Sequence, residues 1–123
     1  MHLNQITIAV TNLALAIPFY QGLGLELIVK NDHYARFVVP GNMATFSLHK
    51  VDVFKESDTV VYFESEKLDI WVEELQKLGY QFIQLPQDQT WLWREAYLND
   101  PDGNQICLYY AGENRLNPPW RLK

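Results

Sequence analysis

Positive charge is in short supply. Ten lysines and arginines stand against fifteen aspartates and glutamates in 123 residues, a formal net charge of -5. Phosphate backbones are gripped by concentrated Lys and Arg, so this balance excludes nucleic acid as a partner. Cysteine is nearly absent. The single Cys107 has no second cysteine for an internal disulfide, which points away from an oxidising compartment. No segment approaches the roughly 20 apolar residues that a membrane helix needs, and the opening MHLNQITIAV carries neither the basic leader nor the apolar stretch of a signal peptide. The expectation is a cytoplasmic protein with no membrane partner. A glycine-rich phosphate loop and a GxSxG nucleophile motif are missing as well.

What is present is enough apolar material for one packed domain: 48% apolar and 20% charged residues, at a length below that where cores split. The surplus is aromatic, with four Trp, seven Tyr and six Phe making up 14% of the chain. Such a surplus can line a pocket for a flat or apolar ligand. Along the chain, Leu3 to Val10 alternates as a half-buried strand. Thr11 and Asn12 can cap a helix carrying Leu13, Ile17 and Tyr20, which Pro18 should shorten or bend before Gly22 and Gly24 end it. Leu25 to Lys30 reads as a second strand, and Tyr34 to Val39 and Met43 to Val51 form a hairpin around Pro40-Gly41-Asn42. After the polar stretch DVFKESD the order starts again. Val60 to Glu64 is a strand, Leu68 to Leu78 a helix stopped by Gly79, and Gln81 to Leu85, Trp91 to Leu98 and Gln105 to Tyr110 are strands. The tail GENRLNPPWRLK should be irregular, docked by Trp120. The fold class is α+β, with a first module at about 1–51, a linker at 52–58, a second module at about 59–111 and a tail at 112–123, all within a single domain.

Side chains alternate across a sheet, so each strand can be split into two faces. One collects Ile6, Ile8, Val10, Phe46, Leu48, Val61, Phe63, Leu92, Leu98, Ile106 and Leu108, which suits packing beneath helices. The other collects Gln5, Thr7, Thr45, Ser47, His49, Tyr62, Glu64, Trp91, Trp93, Glu95, Tyr97, Cys107 and Tyr109. Aromatic area mixed with hydrogen-bonding groups is what a small-molecule site needs. Packing of those aromatics against a partner subunit or a loop stands as the rival reading.

The paired halves, the segments TNLALAIPFY and FYQGLGLEL, and above all DPDGNQICL resemble the vicinal oxygen chelate superfamily. It contains glyoxalase I, the bleomycin and fosfomycin resistance proteins and the extradiol dioxygenases. The resemblance runs to about Ala111. It implies two βαβββ modules forming an open, cupped, barrel-like mixed sheet with the helices on its outer face, a site on the concave face, and assembly as a homodimer. Enzymes of the superfamily hold a divalent metal, and the corresponding positions here are Gln5, Ser47, Val60 and Cys107. Glutamine is permitted there, serine is a poor ligand, valine cannot coordinate, and cysteine stands where glyoxalases carry glutamate.

The first expectation is therefore a small-molecule-binding protein without metal or other cofactor. Tyr62, Trp91, Trp93, Tyr97 and Tyr109 would stack on an aromatic or apolar ligand, and Gln5, Ser47, His49 and Glu95 would orient it. Glu64 and Glu95 would suit a ligand with some positive charge, or pair with Arg36 or Arg94. The second expectation is a metal-dependent lyase or dioxygenase of the same superfamily with a non-standard ligand set drawn from His49, Glu64, Glu95 and Cys107, or a metal-free isomerase with Glu95 as general base. Cys107 as a nucleophile would need His49 beside it.

Overall fold

Two copies of one strand order emerge from the two halves of the chain, and the computed structural model describes them over residues 1–123. In the first unit the elements are β1 (Gln5–Val10), α1 (Leu13–Leu23), β2 (Glu26–Lys30), β3 (Tyr34–Val38) and β4 (Thr45–Lys50). They form a sheet in the order β1-β4-β3-β2, with β1 parallel to β4 and the remaining pairs antiparallel. The Asn12 side chain accepts from the Leu15 N–H and so starts α1, and Gly24, at φ 113°, closes it with its N–H on Gln21 O. Pro18 does not cut the helix short. It removes a single donor from an exposed position, while buried Leu13, Ala16, Ile17, Tyr20 and Leu23 hold the 11 residues on the sheet. Tyr20 packs on Phe37 and Phe46, with ring centres 6.1 and 4.8 Å away, and Val10 and Leu48 are inaccessible as well. Ile6, placed by its alternation among the packed residues, lies near the strand's start and is 37% exposed.

Five residues from far along the chain, Asp100–Asn104, belong to this first unit. The Asp100 carboxylate accepts the N–H groups of Asp102, Gly103 and Asn104, which folds the turn around itself, with Gly103 at φ 102°. It also accepts the Tyr20 hydroxyl at 2.7 Å. Asp102 takes the N–H and hydroxyl of Thr11, and the Asn104 amide donates to Ala9 O. The DPDGN motif thus ties the end of β1 to the start and middle of α1.

The second unit, Asp58–Asn99 with Gln105–Lys123, repeats the plan. It holds β5 (Val60–Glu64), α2 (Leu68–Lys77), β6 (Gln84–Asp88), β7 (Arg94–Asn99) and β8 (Gln105–Tyr110), with sheet order β5-β8-β7-β6 and β5 parallel to β8. Three expectations are corrected here. β6 begins at Gln84 rather than Gln81 and includes Pro86, which this edge strand tolerates because its pairing with β7 is irregular between Gln84 and Gln87. β7 begins at Arg94 rather than Trp91. Leu92 is not a packed strand residue but a half-exposed turn residue at φ 67°, since Gln89 to Leu92 close a turn with Leu92 N on Gln89 O. In the tail, Gly112–Arg115 is a short 3-10 helix, and Trp120 is 57% exposed and does not dock it. The architecture is α+β with two mixed four-stranded sheets, and no helix is long and apolar enough to cross a membrane.

Candidate functional site

The two sheets have the same register, which makes the units comparable position by position. Ser47 pairs with Arg36 on one side and Thr7 on the other, just as Cys107 pairs with Tyr97 and Tyr62. Gln5, Tyr34 and His49 correspond in the same way to Val60, Glu95 and Tyr109. Each unit therefore presents one face built from equivalent positions, and the chemistry of the two faces is opposite.

The first face is polar. Gln5 Nε2 donates to Ser47 Oγ at 2.5 Å and to Thr7 at 3.4 Å, and its Oε1 accepts the Thr45 hydroxyl. Ser47 Oγ lies 2.6 Å from Tyr34 Oη, which accepts Arg36 Nε at 2.9 Å. Ser47 is fully buried, Tyr34 and Arg36 are half-buried, and His49, opposite Tyr34 in the register, is exposed. Burial would raise the Tyr34 phenol, but donation from Ser47 and the Arg36 guanidinium outweighs it and the net shift is downward. Of the expected site residues this face joins Gln5 to Ser47. It adds Tyr34, which is not among the expected site residues, and Arg36, which was expected only as a partner for a glutamate; alternation along β3 (Tyr34, Arg36, Val38) is the available signal.

The second face is aromatic. The Trp93 and Tyr109 rings stack at 4.8 Å, and Tyr62 meets both edge-on at 6.0 and 5.4 Å. Tyr62 is 44% exposed, so the cluster has an open side. Beside it, Glu95 is buried and accepts Trp91 Nε1 at 3.0 Å and the Tyr97 hydroxyl at 2.9 Å. Trp91 reaches Glu95 from the turn before β7, not from the strand. Glu64 accepts the Ala111 and Gly112 N–H groups at 2.8 and 3.0 Å, with Arg115 at 3.8 Å, and so anchors the tail. Neither glutamate pairs with Arg36 or Arg94, which was one of the alternatives for them. Arg94 instead bridges Asp69 and Asp88, because its strand position puts it on the opposite face.

A resident divalent metal can be tested against the donors present. The Gln5 amide is taken up by Thr7, Thr45 and Ser47. Val60 has no donor atom. Cys107 is fully inaccessible, and burial, helped by the charge of Glu95, pushes its thiol up to about 12, so it stays protonated. No group of three or more His, Cys, Asp or Glu side chains is arranged to hold an ion. This donor set does not fit such a metal. The same raised thiol has no thiolate character at neutral pH and is unsuited to nucleophilic attack.

The Glyoxalase/Bleomycin resistance protein/Dioxygenase superfamily matches residues 2–108 of the chain at sequence level. A search of curated proteins finds no match. Among solved structures, a member of that superfamily from Sphaerobacter thermophilus aligns at TM-score 0.74 and 24% identity, covering 89% of this chain and 97% of its own. Lactoylglutathione lyase from Agrobacterium tumefaciens aligns at TM-score 0.77 and 15% identity, covering 94% and 96%. A bleomycin-binding protein complexed with bleomycin aligns at TM-score 0.73 and 16% identity, covering 89% and 98%.

Proposed function

The chain belongs to the Glyoxalase/Bleomycin resistance protein/Dioxygenase superfamily, and we propose that it is a metal-free member that binds an aromatic or apolar small molecule against the second unit's sheet. One solved relative binds bleomycin and another is a lyase, so the fold leaves the choice open and the side chains must make it. The observation that carries the reading is the Tyr62, Trp93 and Tyr109 cluster, three rings in mutual contact with Tyr62 open to solvent. Rings held edge-on and stacked present a rigid wall that costs little entropy when a flat ligand settles on it. The metal-free part is supported by Val60 and by the protonated Cys107 at two positions where metal-dependent relatives need a donor.

The test is a panel of aromatic compounds read by quenching of tryptophan fluorescence. Loss of a ring at a binding hot spot costs roughly 1–3 kcal/mol, so Trp93→Ala and Tyr62→Ala should weaken any binder found by about tenfold or more, and Cys107→Ser should leave it nearly unchanged. Failure of every compound to bind overturns the reading. So does a Cys107→Ser variant that loses binding while both aromatic truncations keep it. Elemental analysis showing close to one divalent metal per chain, lost in His49→Ala, overturns the metal-free part.

The same proposal includes a cytoplasmic homodimer. The lone cysteine is free and buried, which suits a reducing compartment. Each sheet ends in edge strands, and on β2 and β6 these carry the exposed apolar side chains Ile28, Val29 and Leu85, which favour covering by a second copy. Sedimentation equilibrium should give twice the 14.4 kDa of the chain at micromolar concentration; a 14.4 kDa species there counts against it.

A further inference from the structure

The proton positions on the first unit's polar face follow from counting donors and lone pairs. Ser47 is fully buried, so its hydroxyl proton must find an acceptor. Two groups lie within reach of Ser47 Oγ: Gln5 Nε2 at 2.5 Å, which can only donate, and Tyr34 Oη at 2.6 Å. The Ser47 proton therefore goes to Tyr34. Tyr34 Oη then accepts from Ser47 and from Arg36 Nε, with the Gln5 amide as a further donor to it, so its lone pairs are taken and every neighbour is a donor. Its own O–H is left to donate outward.

Arg36 is in the same condition. Its Nε is used on Tyr34 and its guanidinium carbon lies 5.3 Å from the centre of that ring, but it takes part in none of the ion pairs of the chain. Glu26, the one acidic residue in β1 to β4, stands opposite Val38 and does not pair with it. Two Nη groups and one phenolic O–H are thus held together on a sheet face by a buried serine, with donors to spare and no carboxylate to receive them.

The second unit shows what such a position takes. Tyr97 occupies the place of Arg36 and Glu95 that of Tyr34, and there the Tyr97 hydroxyl ends on the Glu95 carboxylate, which also receives Trp91. In the first unit both positions carry donors. We propose that the Tyr34–Arg36 pair on the first unit's sheet is a binding site for an external carboxylate, held end-on by the two Arg36 Nη groups and capped by the Tyr34 hydroxyl. The fork of a guanidinium matches the two oxygens of a carboxylate, and the exposed His49 imidazole stands opposite Tyr34 in the register. Such a ligand has the opposite charge to the one expected from Glu64 and Glu95. Both glutamates that would have met a cation are internally bonded, whereas the guanidinium of Arg36 is not neutralised.

The site stands apart from the aromatic reading, and so does its test. Acetate, benzoate, benzamide and inorganic phosphate are titrated into the full-length protein while the Arg36 Nε–H resonance and the backbone amides of β3 are followed by NMR, and affinities in Arg36→Gln and Tyr34→Phe are measured from the amide shifts. Acetate and benzoate should both shift the resonance saturably, benzamide should not, and phosphate should bind more weakly than acetate. A charge-assisted pair lost in Arg36→Gln should weaken acetate by about tenfold or more, and the single bond lost in Tyr34→Phe by about three- to tenfold. Acetate has no ring, so its behaviour bears on this site whatever happens at the aromatic cluster. No saturable shift with either carboxylate, acetate affinity unchanged in Arg36→Gln, or phosphate bound more tightly than acetate would each overturn the assignment.

Discussion

At the scale of single residues, the structure keeps several acids neutral by surrounding them. The Tyr20 phenol has no exposure, and burial together with the neighbouring Asp100 carboxylate drives its ionisation far above the usual range for tyrosine. Burial moves Tyr97 in the same direction, and Cys107 goes from its ordinary 9.0 to about 12. Below about pH 8 these groups hold their protons in both folded and unfolded chains, so they add no pH dependence there. Above it the unfolded chain releases protons that the folded chain retains, the Cys107 thiol first, and stability must fall as pH rises. The melting temperature should therefore be flat from neutrality to about pH 8 and decline beyond it. Cys107 alone accounts for about 3 kcal/mol of that decline at pH 11, two pH units above its ordinary ionisation and still below its ionisation in the fold. Thermal melts of Cys107→Ala across this range should show a shallower alkaline slope than the parent, whatever the absolute cost of the truncation. An unchanged slope would mean that the thiol is not shielded as its geometry implies.

At the scale of elements, alternation and turn chemistry carried most of the fold, and the misses have local causes. The limits of β5 and β8 are those their alternation indicated, and the DPDGN turn stands between β7 and β8 where it was read. β6 runs on through Pro86 to Asp88, past the Leu85 that the sequence pattern indicates, because its pairing with β7 is irregular between Gln84 and Gln87 and accommodates the proline. Tyr34 is absent from the expected site, and Arg36 enters it only as a partner for a glutamate, because the hairpin pattern of β3 hides that both side chains share a face with Ser47. The start of β7 was misplaced because Trp91 and Leu92 look like strand residues, whereas the backbone turns there. Leucine at φ 67° pays a steric cost of about 1–2 kcal/mol relative to glycine, and at 48% exposure its side chain gives little packing in return. Leu92→Gly should stabilise the protein by up to about 1 kcal/mol, allowing for the greater freedom of glycine in the unfolded chain. A differential scanning melt should rise by about 4 °C. A fall of several degrees would show that Leu92 makes packing contacts that outweigh its strained backbone.

At the scale of the whole molecule, the internal repeat suggests two modules that could be cut apart, but the chain path argues otherwise. It leaves the second unit after Asn99, contributes five residues to the first, and returns at Gln105. Those five residues satisfy groups that the first half cannot satisfy alone. The Tyr20 hydroxyl, completely buried, has Asp100 as its acceptor, Thr11 gives its N–H and hydroxyl to Asp102, and Ala9 O receives the Asn104 amide. Removing the partner of a buried polar group costs about 1–3 kcal/mol, more when the partner is charged, and the Tyr20–Asp100 bond is of that kind, with three part-buried bonds lost beside it. Such a loss is a large fraction of the stability of a domain of this size. A chain ending at Ser57 should therefore fail to fold, with the far-ultraviolet circular dichroism and narrow amide dispersion of a disordered peptide. The full chain should instead unfold in one transition, coincident by tryptophan fluorescence and circular dichroism. Asp100→Ala in the full chain should lower stability by about 3 kcal/mol or more, because it strands the Tyr20 hydroxyl and unties the turn in the same step. A 1–57 fragment with dispersed amide signals, or an Asp100→Ala variant as stable as the parent, would show that the first unit is complete without the turn.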